Sequence, residues 1–183
     1  QLLKRDAKFS VFSVDAFIQN QLSIDNIDQV ADWLGDPTSE MYADREAQYL
    51  SYETIAMREG AVLKQHPALL EVLDTTGSCV YADSKILQKM KERWLIVNIE
   101  ITDSDFEVLY NDFITHPKPI IWSGFYSELL GETKEESLKR SYRLLLNDRR
   151  ERYMKLADVN IPRAKVLNCI SGSQVLDLIE SYI

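Results

Sequence analysis

Two short stretches set an acid and small hydroxyl residues directly after an apolar run. Ser13-Val14-Asp15 closes the β-rich stretch Phe9-Ser10-Val11-Phe12-Ser13-Val14. Asp74-Thr75-Thr76-Gly77-Ser78 closes Leu69-Leu70-Glu71-Val72-Leu73. An acid at a strand end can hold a magnesium ion, usually through water, or orient a substrate hydroxyl. Gly77 with its small neighbours would let a ligand approach the backbone closely. In open parallel sheets ligands bind beyond the carboxyl ends of strands, which is where both acids would stand. Asp15 and Asp74 could also do no more than cap the helix or turn that follows each of them, a common use of acids at such positions.

A third feature lies at 134–155, where eight Lys or Arg face four acids in a chain of net charge −8. Leu138, Tyr142, Leu145, Arg149, Tyr153 and Leu156 recur at helical spacing and form one stripe. Arg149 therefore falls on the apolar face, where a guanidinium needs an anionic partner. A phosphate or carboxylate in a cleft would supply one. A packed stem with its head reaching water or a structural acid would satisfy the same charge. Arg140, Arg143 and Arg150 read as a solvated face. Cys79 reads as a small packed thiol, and Tyr42, Tyr49 and Tyr52 as packing.

The elements that must position these residues alternate. Strands are expected at 9–14, 69–73, 94–101 and 165–170. Helices are expected after Asp15, over 27–34, 39–63, 84–93, 104–114 and 134–157, and after Ser171-Gly172-Ser173. In the helix over 39–63, Leu50, Thr54, Met57 and Ala61 form one stripe, and His66-Pro67 breaks it. His116-Pro117-Lys118-Pro119 reads as loop. The strands are apolar on both faces, which suits a buried parallel sheet covered by helices.

The 183 residues suffice for one domain. An excess of acids argues against nucleic acid as a partner, since phosphate binding needs Lys and Arg. Two cysteines, Cys79 and Cys169, exclude a disulfide framework or a four-cysteine metal site. Two histidines, His66 and His116, do not make a histidine zinc centre. No apolar run is long enough for a membrane span, no signal peptide is evident, and a reducing cytoplasmic setting is expected.

The ordered set of signals resembles shikimate kinase and its relatives among the P-loop small-molecule kinases. Phe12-Ser13-Val14-Asp15-Ala16-Phe17-Ile18-Gln19 is similar to the family's F-x-D-T-D-x-x-I-E. Glu46-Ala47-Gln48-Tyr49-Leu50-Ser51-Tyr52-Glu53 is similar to the later part of G-E-x-x-F-R-x-x-E, and Thr76-Gly77-Ser78-Cys79 to T-G-G-G. Lys118-Pro119-Ile120-Ile121 is similar to the R-P-L-L lid, and Arg149-Arg150-Glu151-Arg152-Tyr153 with Ala157-Asp158 to the R-x-x-x-Y and A-D segment. The stretch 74–78 taken with 117–122 looks closest to the shikimate-kinase-like branch of that family. The resemblance implies an α/β, three-layer α/β/α P-loop kinase-like domain over 1–183, with a lid at about 115–135. It implies a parallel sheet of order 2-3-1-4-5 whose first strand is missing from these residues. No G-x-x-x-x-G-K-[ST] occurs, and Gln1-Leu2-Leu3-Lys4-Arg5 matches the latter part of the helix that follows that motif, so a strand and P-loop are expected upstream.

The resemblance also implies ATP and Mg2+ as cofactors, and a nucleotide and a small hydroxylated or anionic acceptor as partners. Asp15 would orient or deprotonate the acceptor hydroxyl. Asp74, with Ser13 in place of the family's first aspartate, would place magnesium. Gly77, Ser78 and Arg149 would bind substrate, and Lys118 would neutralise the transferring phosphoryl group. Leu50 stands where the family has an arginine that grips the shikimate carboxylate, which argues against shikimate itself. The same departures suit an alternative of another class, a catalytically inactive kinase-fold module that binds a nucleotide or a partner.

Overall fold

The computed structural model describes residues 2–62 and 68–183. The expectations at Leu63 and at His66-Pro67 lie outside them.

A short 3-10 turn over Leu3–Arg5 leads into β1 (Phe9–Ser13), α1 (Val14–Leu22), α2 (Ile27–Leu34) and α3 (Tyr42–Gly60). β2 (Leu70–Asp74), α4 (Ser84–Arg93), β3 (Val97–Glu100) and α5 (Phe106–Thr115) follow. The long α6 (Lys134–Leu156), β4 (Val159–Pro162), α7 (Arg163–Leu167) and α8 (Gly172–Glu180) complete the fold. Local chemistry explains the boundaries. Asn26 accepts the Gln29 N–H and starts α2, and Gly35 ends it at φ 80°. Thr133 and Glu136 form a reciprocal capping box at the start of α6.

The architecture is mixed α/β, with parallel strand pairing among the described residues. β1 pairs with β2, from Phe9 opposite Leu70 to Ser13 opposite Asp74. β3 pairs with β4, from Val97 opposite Val159 to Glu100 opposite Pro162. Among the described residues these form two separate two-stranded sheets. The strands are also less buried than their apolar composition suggests. No residue of β1 or β2 is fully buried, and Leu70 and Ile99 are 47% and 50% exposed. A parallel sheet is normally covered on both faces, and a lone pair of strands is marginal in water.

Two cores hold the elements together. The larger joins Val14 and Ile18 of α1, Val30 and Leu34 of α2, and Tyr49 and Ala56 of α3 to aromatic residues of α5 and α6. Within it the Phe113 and Tyr142 rings stack at 5.1 Å. The smaller is built on Met57, Cys79, Val80, Ile86 and Met90. Leu73 of β2 packs against both clusters, and Ile96, just ahead of β3, against the smaller. Leu73 and Ile96 thus meet the same small cluster, and Arg93 of α4 pairs with Glu71 of β2 at 3.8 Å.

Several expectations are corrected. The last strand lies at Val159–Pro162, and the stretch 165–170 is mostly short helix and turn. Val159 and Ile161 alternate inward and are buried, a pattern that a search for a continuous apolar run passes over. The strand expected at 94–101 is confined to Val97–Glu100. α3 buries Tyr42, Tyr49, Glu53, Ala56, Met57 and Gly60, a stripe rotated from the one expected, with Leu50 only partly covered. The arginines read as a solvated face are exposed or half-exposed, and they have partners there. Arg140 pairs with Glu132, Arg150 with Asp103, and the Arg143 guanidinium lies 4.2 Å from the Phe106 ring centroid.

Candidate functional site

The register of β1 and β2 brings Ser13 and Asp74 to the same level at the carboxyl ends of adjacent strands. Ser13 Oγ donates to Asp74 Oδ2 at 3.4 Å. The Lys4 ammonium stands 3.1 Å from each of these two oxygens. One hydroxyl and one carboxylate therefore already hold a cation. Asp15, two residues past the strand, opens α1, and the Tyr49 hydroxyl donates to its Oδ1 at 3.4 Å. Burial pushes the Asp15 carboxyl above the ordinary aspartate range, and the Asp74 charge adds to the effect. The Tyr49 hydroxyl and the ammonium groups of Lys4 and Lys118 hold it down.

Behind these acids lies a buried polar centre. Glu53 is 2% exposed and accepts hydrogen bonds from the hydroxyls of Thr76 and Ser78, both buried. The turn after β2 is thus fastened to α3. Burial raises the Glu53 carboxyl, while the two hydroxyls and the Arg149 charge oppose the rise. The Tyr153 hydroxyl fastens the same turn from α6, donating to the Thr76 and Gly77 carbonyls at 3.2 and 3.1 Å. The Cys79 thiol stands 3.6 Å from that hydroxyl and 3.4 Å from Thr75 Oγ1. Cys79 is buried and packed, and burial raises its thiol.

Arg149 reaches from α6 over the turn. Its Nη2 donates to the Ile121 carbonyl at 2.8 Å, and its Nε is buried without a partner among the described residues. A Cβ on residue 77 would lie 2.7 Å from Arg149 Nη1, which gives Gly77 a steric reason. The guanidinium also lies 5.8 Å from the Tyr81 ring centroid.

Lys118 stands apart. It is exposed and pairs with Asp112 at 3.2 Å, though its charge is felt at Asp15. The middle of the expected lid is fastened down. The Tyr42 hydroxyl donates to the Ile120 carbonyl at 2.9 Å and accepts the Trp122 N–H at 3.1 Å. Ser123 N–H donates to Glu46 at 3.0 Å, and Ile121 and Trp122 are buried.

Ser13, Asp15, Asp74, Gly77, Ser78 and Arg149 therefore line one end of the β1–β2 sheet, with Lys118 at the margin. Lys4, Tyr49 and Glu53 join them without having been singled out as site residues. The spacing of Tyr42, Glu46, Tyr49 and Glu53, by four, three and four, puts all four on one helix face and signals the last two. Among the described residues no group of three or more His, Cys, Asp or Glu is placed to hold a metal ion. A magnesium ion held by Asp74 and Ser13 would need its other oxygens from phosphates and water, which fits its preference for few protein ligands. Among the described residues no helix is long and apolar enough to cross a membrane.

No family model matches the chain, and no curated protein or solved structure matches it.

Proposed function

We propose that this chain is the body of a small-molecule phosphotransferase similar to shikimate kinase, moving a phosphoryl group from Mg-ATP to a small hydroxylated or anionic metabolite other than shikimate. One observation carries the reading. Strand order 2-3-1-4-5 with strand 1 supplied from elsewhere leaves two parallel pairs, 2-3 and 4-5. The observed pairs are β1–β2 and β3–β4, each parallel, with no hydrogen-bonded ladder between β2 and β3 among the described residues. The partial exposure of Leu70 and Ile99 agrees with a sheet awaiting its middle strand. In this reading the strand and its phosphate-binding loop come from residues ahead of Gln1.

The side chains divide the work. Asp15 orients the acceptor hydroxyl and takes its proton, and burial, which makes its carboxylate more basic than a free aspartate, favours that role. Tyr49 holds that carboxylate in place. Asp74 and Ser13 would hold magnesium, which would supply charge neutralisation between phosphates. The Lys4 ammonium now on the same two oxygens is weakly held, because its ion pair is exposed. Arg149 meets an anionic group of the acceptor above Gly77. Lys118 releases Asp112 to face the phosphoryl group, again from an exposed pair.

The Lys4 ammonium between Ser13 and Asp74 favours a second reading, an inactive module in which a side chain has taken the cation's place. The intact mass and N-terminal sequence of the natural gene product, followed by equilibrium dialysis against Mg-ATP, separate the two. The kinase reading expects a product heavier than 21.2 kDa with an upstream G-x-x-x-x-G-K-[ST] and saturable nucleotide binding. A product that begins at Gln1 and binds no nucleotide overturns it.

A further inference from the structure

Away from the strand ends, a cavity of about 330 Å³ opens between the end of α2, α5, the segment 117–122 and the start of α6. That volume lies within the range of small-molecule sites. Its walls are apolar, from Leu34, Phe113, Ile120, Trp122 and Leu138. Its charged members are Asp32, Asp36 and Lys118. Two of these are already matched, Asp36 by Lys134 at 2.6 Å and Lys118 by Asp112 at 3.2 Å. Asp32 has no ion-pair partner among the described residues. Arg45 packs beside Gly35 and forms no ion pair with Asp32. The cavity thus joins two aromatic walls to one unmatched negative charge.

We propose that this cavity binds a small organic cation with an aromatic or branched apolar body, its ammonium group beside Asp32 and its body between Phe113, Trp122 and Leu138. Aromatic walls attract a cation as well as an apolar surface, and a carboxylate at the mouth sets the ligand's direction. The site is tied to the strand-end cluster through its wall. Ile120 and Trp122 line the cavity, and the carbonyl of Ile121 between them accepts the Arg149 hydrogen bond.

Phenethylamine, 2-phenylethanol and phenylacetate serve as probes of one body with three charges. Binding is read on the complete gene product from the indole N–H resonance of Trp122, assigned with Trp122→Phe. The amine should shift that resonance with a dissociation constant below about 1 mM, the alcohol more weakly and the acid least. Asp32→Asn should weaken the amine about three- to tenfold and leave the alcohol unchanged, as expected for one partly exposed charge. Leu138→Phe, which fills the cavity, should weaken amine and alcohol alike. The proposal is overturned by no shift up to about 10 mM amine. It is equally overturned by alcohol binding as tightly as amine, or by an Asp32→Asn variant that holds the amine as the parent does.

Discussion

Replacing Glu53 by alanine tests the buried centre of the site. Thr76 and Ser78 are 5% and 2% exposed, and Glu53 is their acceptor. In Glu53→Ala the two hydroxyls keep only each other, 3.4 Å apart. Each poorly satisfied buried hydroxyl costs about 1–2 kcal/mol, so the pair together costs about 2–4 kcal/mol. In a protein of this size that lowers the melting temperature by about 5–15 °C. The loss depends on pH with a definite sign. The Glu53 carboxyl titrates above its ordinary value of 4.5, so the parent is most stable with Glu53 protonated and loses that stability as pH rises through the elevated value. The gap between parent and Glu53→Ala is therefore wider at pH 5 than at pH 8. Glu53→Gln keeps an acceptor without the charge and should match or exceed the parent at pH 8. Thermal and urea unfolding followed by circular dichroism at the two pH values decides the matter. An alanine variant melting within about 2 °C of the parent, or a glutamine variant less stable than the alanine one, refutes the reasoning.

Tyr49→Phe removes a hydrogen bond that lowers the Asp15 carboxyl, so Asp15 should titrate still higher, visible by carbon-detected NMR of that carboxyl and as an acid limb of activity moved to higher pH. Gly77→Ala forces Arg149 aside and should destabilise by about 1–2 kcal/mol, but should be nearly silent in an Arg149→Ala background; equal effects in both backgrounds would remove the steric explanation. Glu132, bonded to Arg140 and Ser137, is held down to about 2, so its contribution to stability is complete above pH 4.5 and fades as pH falls through about 2. The urea midpoints of parent and Glu132→Gln should accordingly differ at pH 6 and converge near pH 2.

The strand ends were legible because β1 and β2 carry their acids immediately after apolar residues, and the register then sets Ser13 beside Asp74. The helices α2, α4 and α6 were legible as ranges, and they begin where the side chains of Asn26, Asp83 and Thr133 accept backbone N–H groups. Glu53 was not legible as a buried residue. Hydrophobic periodicity assigns acids to the solvent face, and its burial rests on two hydroxyls more than twenty positions away. β4 was missed because its four residues include Asn160 and Pro162, and it becomes a strand only beside β3, where the side chains of Asn98 and Asn160 hydrogen-bond at 2.8 Å. Lys4 was passed over because no helical or strand pattern brings it to Asp74.

Phosphoryl transfer itself is the direct test. The complete gene product would be incubated with Mg-ATP labelled at the γ-phosphate and a panel of small alcohols, hydroxy acids and nucleosides, with products read by mass spectrometry. The account predicts one labelled acceptor phosphate, lost in Asp15→Asn while nucleotide binding stays within about twofold of the parent. Turnover undiminished in Asp15→Asn, or a nucleotide-bound parent that labels no member of the panel and hydrolyses ATP no faster than water does, would contradict it.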